Sequence, residues 1–358
     1  MKLENKFLVT AQPEFMEAAL HELRRLDNNL KTETLLAPDI ALCESTDVAR
    51  LMRQAADQRP VFARHLAPVQ TVIPLSNSEQ DMGALAVAIA DLPGFAMLER
   101  GQRFAVQTRF AQSGEQSVSV KRIYGSGYLN QQLASAFAEE TGAVESIKKP
   151  QVVVSLLCAE LKAYAGISLS RDNMSDWPGG MRHFAQLPEQ ISRAEFKLLE
   201  ALEIFGVSLP EQGDALDLGA APGGWTRLLM EAGMRVIAVD PARLDDRLGG
   251  RLEHYRGYAE DYLEEALRRR KKFDVIANDM RMDAREAARL LVEARSCLHP
   301  DGFIISTLKL PHAAIDIDPS RNLKEAIRLL ERHFAVVQAK QLFHNRQEVT
   351  IIAAKARP

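Results

Sequence analysis

The chain has 358 residues, too many for one ordinary domain and enough for two or three. Its 46% hydrophobic and 26% charged residues exclude a disordered or fibrous chain and point to a sizeable folded core. A formal net charge of −3 excludes nucleic-acid binding through overall positive charge, so any such contact has to come from a local patch.

In chain order, K-F-L-V-T-A (6–11) alternates as a strand does, and Pro13 to Leu26 reads as a helix with Phe15, Ala19, Leu23 and Leu26 on one face. Strands are expected near 32–37 and 39–44, then a helix from Asp47 to Asp57 capped by Thr46, then a strand around 62–73. This β-α-β-β-α-β order predicts a ferredoxin-like α+β module over 1–74, serving RNA or simply a neighbouring domain. The opening M-K-L-E-N-K-F lacks the apolar core of a secretory signal, and no run reaches transmembrane length. Cys43, Cys158 and Cys297 stand far apart with no C-x-x-C pair, which predicts buried thiols in a reducing compartment. A cytoplasmic protein with no membrane partner is the expectation.

A second α+β module is expected over 75–170. Its strands are R-F-A-V-Q-T-R-F (103–110), V-V-V-S-L-L-C (152–158) and K-A-Y-A-G-I-S-L (162–169), with a helix from Leu129 to Glu140. It resembles a THUMP domain, a module of RNA-modifying enzymes, and Lys121, Arg122, Lys148 and Lys149 are its candidate phosphate contacts. Residues 171–190, with Trp177, Pro178, Gly179, Gly180 and Pro188, read as an interdomain linker.

From 191 to 358 strands and helices alternate as in a parallel sheet. Strands are expected at 214–219, 235–240, 273–279, 302–308, 334–340 and 348–354, with helices near 192–205, 225–232, 260–271, 284–298 and 320–333. This segment carries 26 basic and 26 acidic residues, so it has no electrostatic footprint for RNA of its own. The run Arg268 to Lys272 is read as cations complementing a helix C-terminus.

The stretch D-L-G-A-A-P-G-G-W, Asp217 to Trp225, joins a short apolar strand to a helix through a glycine-rich turn. Its Gly-x-x-x-Gly-Gly spacing differs from the dinucleotide fingerprint, and alone it also fits a tight turn in any parallel α/β domain. Asp240, ending the next apolar run, is placed to accept hydrogen bonds from a ribose diol. Asp279 and Lys309 each end an apolar strand, an unusual place for an idle charge.

Together these segments resemble the S-adenosylmethionine-dependent methyltransferases in their FtsJ-like RNA 2′-O-ribose form. S-R-A-E-F-K-L-L-E (192–200) supplies Lys197, A-N-D-M supplies Asp279, T-L-K-L-P supplies Lys309 and N-R-Q-E-V-T supplies Glu348. The likeness is greatest to the THUMP-containing bacterial branch that acts on a cytidine of 23S ribosomal RNA, the M type; W-P-G-G-M-R-H (177–183) and the tail Q-L-F-H-N-R-Q-E-V-T share it. The resemblance implies a Rossmann-like sheet, mostly parallel with an antiparallel last strand, and a cleft at the carboxyl ends of its strands. It implies S-adenosyl-L-methionine as cofactor, held by Ser192, Asp217, Gly219, Ala221, Pro222, Gly223, Gly224, Trp225, Asp240 and Asp279. At the adenine the family's aspartate aligns with Tyr258; either Asp261 or Glu260 substitutes from a shifted loop, or recognition there, at Tyr258, relies on stacking and backbone groups.

The implied reaction is methyl transfer to a ribose 2′-hydroxyl of RNA, with ribosomal RNA as partner. Lys309 would be the base, Asp279 would orient lysine and methyl donor, and Lys197 and Glu348 would position the hydroxyl. No metal is required, and the eight histidines form no H-E-x-x-H pair. Transfer RNA or another RNA is the alternative substrate; a non-catalytic RNA-binding assembly factor is the alternative class, against which the intact lysine–aspartate–lysine–glutamate set argues. Nothing in the sequence fixes an oligomeric state.

Overall fold

The computed structural model describes residues 3, 5–111, 122–311 and 319–357. Lys121, one of the expected phosphate contacts, lies outside them. Contacts divide the chain into two compact units, Met1–Arg182 and His183–Pro358.

The first unit holds two sheets. The first is β1 (Lys6–Thr10), β2 (Lys31–Ala37), β3 (Ile40–Glu44) and β4 (His65–Val69) in the order β2-β3-β1-β4, all antiparallel, with helices α1 (Met16–Arg24) and α2 (Val48–Gln58). Asp47 caps α2, accepting from Arg50 N at 2.9 Å, where Thr46 was expected. An aspartate carboxylate is the stronger acceptor for an unpaired helix N–H.

The strand expected over 62–73 is two strands. Beyond β4 the chain turns at Gln70, whose side chain exchanges hydrogen bonds with the Ile167 backbone, and β5 (Thr71–Pro74) pairs with the second sheet. That sheet has the order β5-β9-β8-β6-β7, formed with β6 (Arg103–Phe110), β7 (Val144–Glu145), β8 (Val152–Ala159) and β9 (Lys162–Leu169). Helices α3 (Gln80–Ala90) and α4 (Ser126–Thr141) cover it, burying Leu85, Ile89, Leu133 and Phe137 against Phe104, Val152 and Val154. Residues 171–182, expected within the linker, pack into this unit. The Asp176 carbonyl accepts from Gln107 Nε2 at 2.6 Å, and the Arg182 guanidinium lies 4.3 Å from the centre of the Trp177 ring. Cys43, Cys158 and Cys297 are buried and unpaired by disulfides, as expected.

The second unit is a seven-stranded sheet, β10 (Asp214–Leu218), β11 (Arg235–Val239), β12 (Leu252–Tyr255), β13 (Phe273–Asn278), β14 (Leu298–Lys309), β15 (Phe334–Lys340) and β16 (Glu348–Ala356). Its order is β12-β11-β10-β13-β14-β16-β15, parallel except for β16, which runs antiparallel between β14 and β15. This is the mostly parallel Rossmann-like sheet that the sequence predicts. The connecting helices are α5 (Ala194–Phe205), α6 (Gly224–Glu231), α7 (Ala259–Arg268), α8 (Ala284–Ala294) and α9 (Pro319–His333). Strand β12 has no counterpart among the expected strands. It is a four-residue edge strand, L-E-H-Y, half-buried at best and without the apolar run that marked the others. Among the described residues, no helix is long and apolar enough to cross a membrane.

Candidate active site

The order reversal between β10 and β13 places their carboxyl ends side by side, where open α/β sheets hold ligands. Asp279 follows β13 directly, and its backbone N–H donates to the Leu218 carbonyl at 3.3 Å. Lys309 ends β14. The antiparallel β16 brings its first residue to the same edge, so Glu348 stands directly opposite Lys309 in the register. Lys197 reaches over from α5.

The four charges form a closed ring. Lys197 Nζ donates to both Asp279 oxygens at 3.1 and 3.0 Å and to Glu348 Oε1 at 2.8 Å. Lys309 Nζ donates to Asp279 Oδ1 at 2.9 Å and to Glu348 Oε2. Each ammonium thus touches both carboxylates, and the set is formally neutral. Side-chain exposures from 8% to 23% show a ring sheltered from bulk water yet reachable by a substrate. Burial alone would push Lys197 below the ordinary lysine value, but Asp279 and Glu348 outweigh it and hold Lys197 above that value. Burial likewise raises Asp279, and the two ammonium groups reverse the effect, leaving it below the usual carboxylate range. Thr307, two residues before Lys309 and on the same face of β14, donates to Asp279 Oδ1 at 2.6 Å and accepts from Lys309 Nζ at 3.0 Å. Sequence reasoning missed it, because a threonine in an apolar strand reads as an ordinary strand former.

The glycine-rich turn lies against this ring. Gly219 has φ +74°, and a Cβ there would stand 3.1 Å from the Met280 Cα. Gly223 also has positive φ, and a Cβ would strike Leu248. Asp240 shapes the turn as well as facing it: Oδ2 accepts from Ala221 N at 3.0 Å and Oδ1 from Ala242 N at 2.8 Å. A carboxylate has about four lone-pair sites, so each oxygen keeps capacity for another donor. The peptide between Ala221 and Pro222 is cis. Ser192 Oγ is buried without a hydrogen-bond partner among the described residues, and any Cβ on Gly224 would collide with it.

Two residues expected at the cofactor are placed otherwise. Trp225 is a core residue: its indole packs with Leu198, Leu229 and Phe205 and donates to the Ala194 carbonyl at 2.7 Å. Asp217 is 1% exposed beneath the turn, accepting from Thr226 Oγ1 at 2.6 Å. Burial, opposed by that bond and reinforced by Asp279 and Asp240, pushes its carboxyl up to about 7. Its part is to tie the start of α6 to β10. Tyr258 and Asp261 are both exposed at the start of α7, and Glu260 lies between them, also exposed. Of the candidate phosphate contacts, Lys148 and Lys149 are exposed, while Arg122 stacks over Phe110 at 4.7 Å. In the basic run, Lys272 donates to the Ser296 carbonyl at 2.8 Å, Lys271 to Tyr262, and Arg269 pairs with Glu265. Among the described residues, no three His, Cys, Asp or Glu side chains are grouped to hold a metal ion.

The profile of the FtsJ-like methyltransferases matches residues 190–342, which include the glycine-rich turn and three members of the ring. Residues 190–342 form an FtsJ-like methyltransferase domain. The chain is 35% identical over 229 residues to the "Ribosomal RNA large subunit methyltransferase M" of Sodalis glossinidius, covering 59% of each. It is 28% identical over 279 residues to the protein of the same name from Xanthomonas oryzae pv. oryzae, covering 74% of this chain and 76% of the relative. The chain thus spans about three fifths of the length of the first of these relatives. The solved structure described as TrmN from Thermus thermophilus aligns with 98% of this chain and 99% of its own, at 18% identity and a TM-score of 0.40. The fold assigned to the FtsJ-like domain rests on its own strand order.

Proposed function

We propose that the chain transfers the methyl group of S-adenosyl-L-methionine to a ribose 2′-hydroxyl of RNA, most specifically a cytidine of 23S ribosomal RNA, in the cytoplasm. The observation that carries this reading is the ring of Lys197, Asp279, Lys309 and Glu348 at the carboxyl edge of the seven-stranded sheet. Relatives named as large-subunit ribosomal RNA methyltransferases support the substrate class.

The cofactor supplies an electrophilic methyl carbon on a cationic sulfur. The residues present fit it. The spare hydroxyl of Ser192 and the first N–H groups of α6 suit an anionic carboxylate, and the spare lone pairs of Asp240 suit a ribose diol. Gly219, Ala221, Pro222, Gly223 and Gly224 form the wall between them, with Tyr258, Glu260 or Asp261 toward the adenine. The ring's task is to hold the 2′-oxygen in line with the methyl carbon and to accept its proton. With both lysines protonated the ring is formally neutral, and the role of base requires that Lys309 first release one proton to solvent. The neutral amine of Lys309 then accepts the proton of the hydroxyl, while Lys197, held above the ordinary lysine value by Asp279 and Glu348, stays charged and fixes the geometry. Thr307 keeps the Asp279 carboxylate turned toward both lysines.

The test is a map of 2′-O-methyl positions in total RNA with and without the protein, followed by transfer to the identified RNA in vitro. Loss of one ribosomal cytidine methylation is expected. A lost position in transfer RNA would move the substrate, and an unchanged map with no transfer in vitro would overturn the enzyme reading.

Two further outcomes are expected. Asp240→Ala should weaken cofactor binding by at least ~10-fold in calorimetry, because it removes charge-assisted bonds to the ligand and to Ala221 N together. An unchanged affinity in a folded variant would count against the role of Asp240. The first unit, which we read as ferredoxin-like (1–74) and THUMP-like (75–170) modules, should supply most of the RNA affinity. Its removal should leave cofactor binding intact, while RNA binding weakens and loses much of its salt dependence. Equal RNA affinity and salt slope for residues 183–358 alone would contradict this.

A further inference from the structure

Helix α5 carries a second buried charge that the reaction described above does not use. Glu200 lies three residues after Lys197, on the same side of the helix, and is 3% exposed. Its carboxylate accepts three hydrogen bonds from the turn before β16: Phe343 N at 2.8 Å, His344 N at 3.0 Å and His344 Nδ1 at 2.7 Å. The same turn leads into Glu348. Within it Asn345 Oδ1 accepts from Leu342 N at 2.8 Å and Thr350 Oγ1 at 3.1 Å, and Asn345 Nδ2 donates to Glu348 Oε1 at 3.4 Å. The Phe184 and Phe196 rings pack on His344 with centroids 5.5 and 5.2 Å away, closing the turn from the side of α5.

We propose that Glu200 is a positioning residue for methyl transfer: it fixes the 341–347 turn, and through Asn345 the Glu348 carboxylate, relative to Lys197. This rests on the proposed function. One helix thereby sets both sides of the ring, Lys197 directly and Glu348 through four residues of turn. The dependence is physical. Glu348 begins its strand: the pairing with β14 sets it opposite Lys309, and the turn sets its approach to Lys197 from the free side. Three bonds to one buried carboxylate make that turn stiff where an ordinary loop would move. A buried anion that merely capped the turn would stabilise the fold without regard to Glu348, and that difference can be measured.

The experiment uses the full chain with Glu200→Gln, which keeps the shape, removes the charge and turns an amide donor toward backbone donors. Expected is a 10- to 100-fold fall in the single-turnover transfer rate (~10–100-fold, the scale of one misplaced catalytic group), with cofactor affinity within about twofold. In a Glu348→Gln background the same substitution should cost less than about threefold, since the group it positions is already lost. Full additivity of the two substitutions would overturn the proposal. A second readout is independent of activity. The Lys197 ammonium, titrated by NMR with Lys197→Arg as the assignment control, should fall toward the ordinary lysine value in Glu200→Gln, and an unchanged titration would overturn the proposal equally. If Glu200→Gln does not fold, His344→Ala removes one of the three bonds and should give the same non-additivity at smaller size. Should the wild type transfer no methyl group to any RNA, the proposed function fails, and the Lys197 titration still decides the role of Glu200.

Discussion

Lys309→Ala should lower the rate of methyl transfer by about 10²–10⁴-fold, the span that a positioned general base contributes, with cofactor affinity unchanged. The side chain acts on the RNA hydroxyl, so the loss should appear in the rate of the chemical step and not in binding of the methyl donor. Lys309→Arg should fail nearly as badly. A guanidinium stays protonated at any working pH and cannot accept the proton, and its planar fork does not fit the point at which Asp279, Thr307 and Glu348 meet. Lys197→Arg keeps a cation between Asp279 and Glu348 and should retain part of the activity. Single-turnover transfer across pH for the wild type and both arginine variants separates the two lysines. The wild-type rate should rise with pH and level off at a value belonging to the coupled ring. Robust transfer by Lys309→Arg would remove Lys309 as base and leave it an electrostatic support.

Asp279→Asn should be the most destabilising single change in the ring. It leaves two sheltered ammonium groups facing one carboxylate, and breaking such a pair costs about 3–5 kcal/mol. The loss has a sign in pH. Asp279 is held below the usual carboxylate value when folded, so its contribution is complete above the unfolded value and is lost as pH falls through the folded one. The stability gap between wild type and variant should therefore be widest near neutral pH and close in acid. Denaturant titrations at pH 7 and near pH 3 check this, and a gap that is constant or grows in acid would refute the assignment of charge to Asp279.

Much of this site was legible because charges sit where apolar strands end. Asp279 after F-D-V-I-A-N and Lys309 after G-F-I-I-S-T-L are costly places for idle charge, so strand and site could be read together. Glu348 was legible only through family resemblance, since periodicity carries no strand direction and a parallel β16 would have sent it to the far edge. Trp225 shows where the sequence was silent on side-chain direction. Its neighbours in the turn point to a ligand, but adjacency in sequence does not say which way a helix turns its side chains, and this one faces α5. Glu200 and Asn345 gave no signal, because their partners are backbone amides of a turn that only the fold brings near. The split at Gln70 was hidden for a similar reason: both halves of 62–73 are strand-forming, and the change of sheet depends on partners about a hundred residues downstream.

The place of β16 has a consequence for the order in which the protein matures. Chains emerge from synthesis amino end first, and local pairings such as β10 with β11 close early. The last strand of the sheet, however, takes an interior position, hydrogen-bonded to β14 on one side and β15 on the other. Until it inserts, Lys197, Asp279 and Lys309 have no Glu348 to complete their circle, and β14 presents an open edge. A nascent second unit lacking residues 348–356 would hold its glycine-rich turn and three of the four charges without the fourth. The proposed transfer would then be acquired in one step, when β16 inserts between β14 and β15.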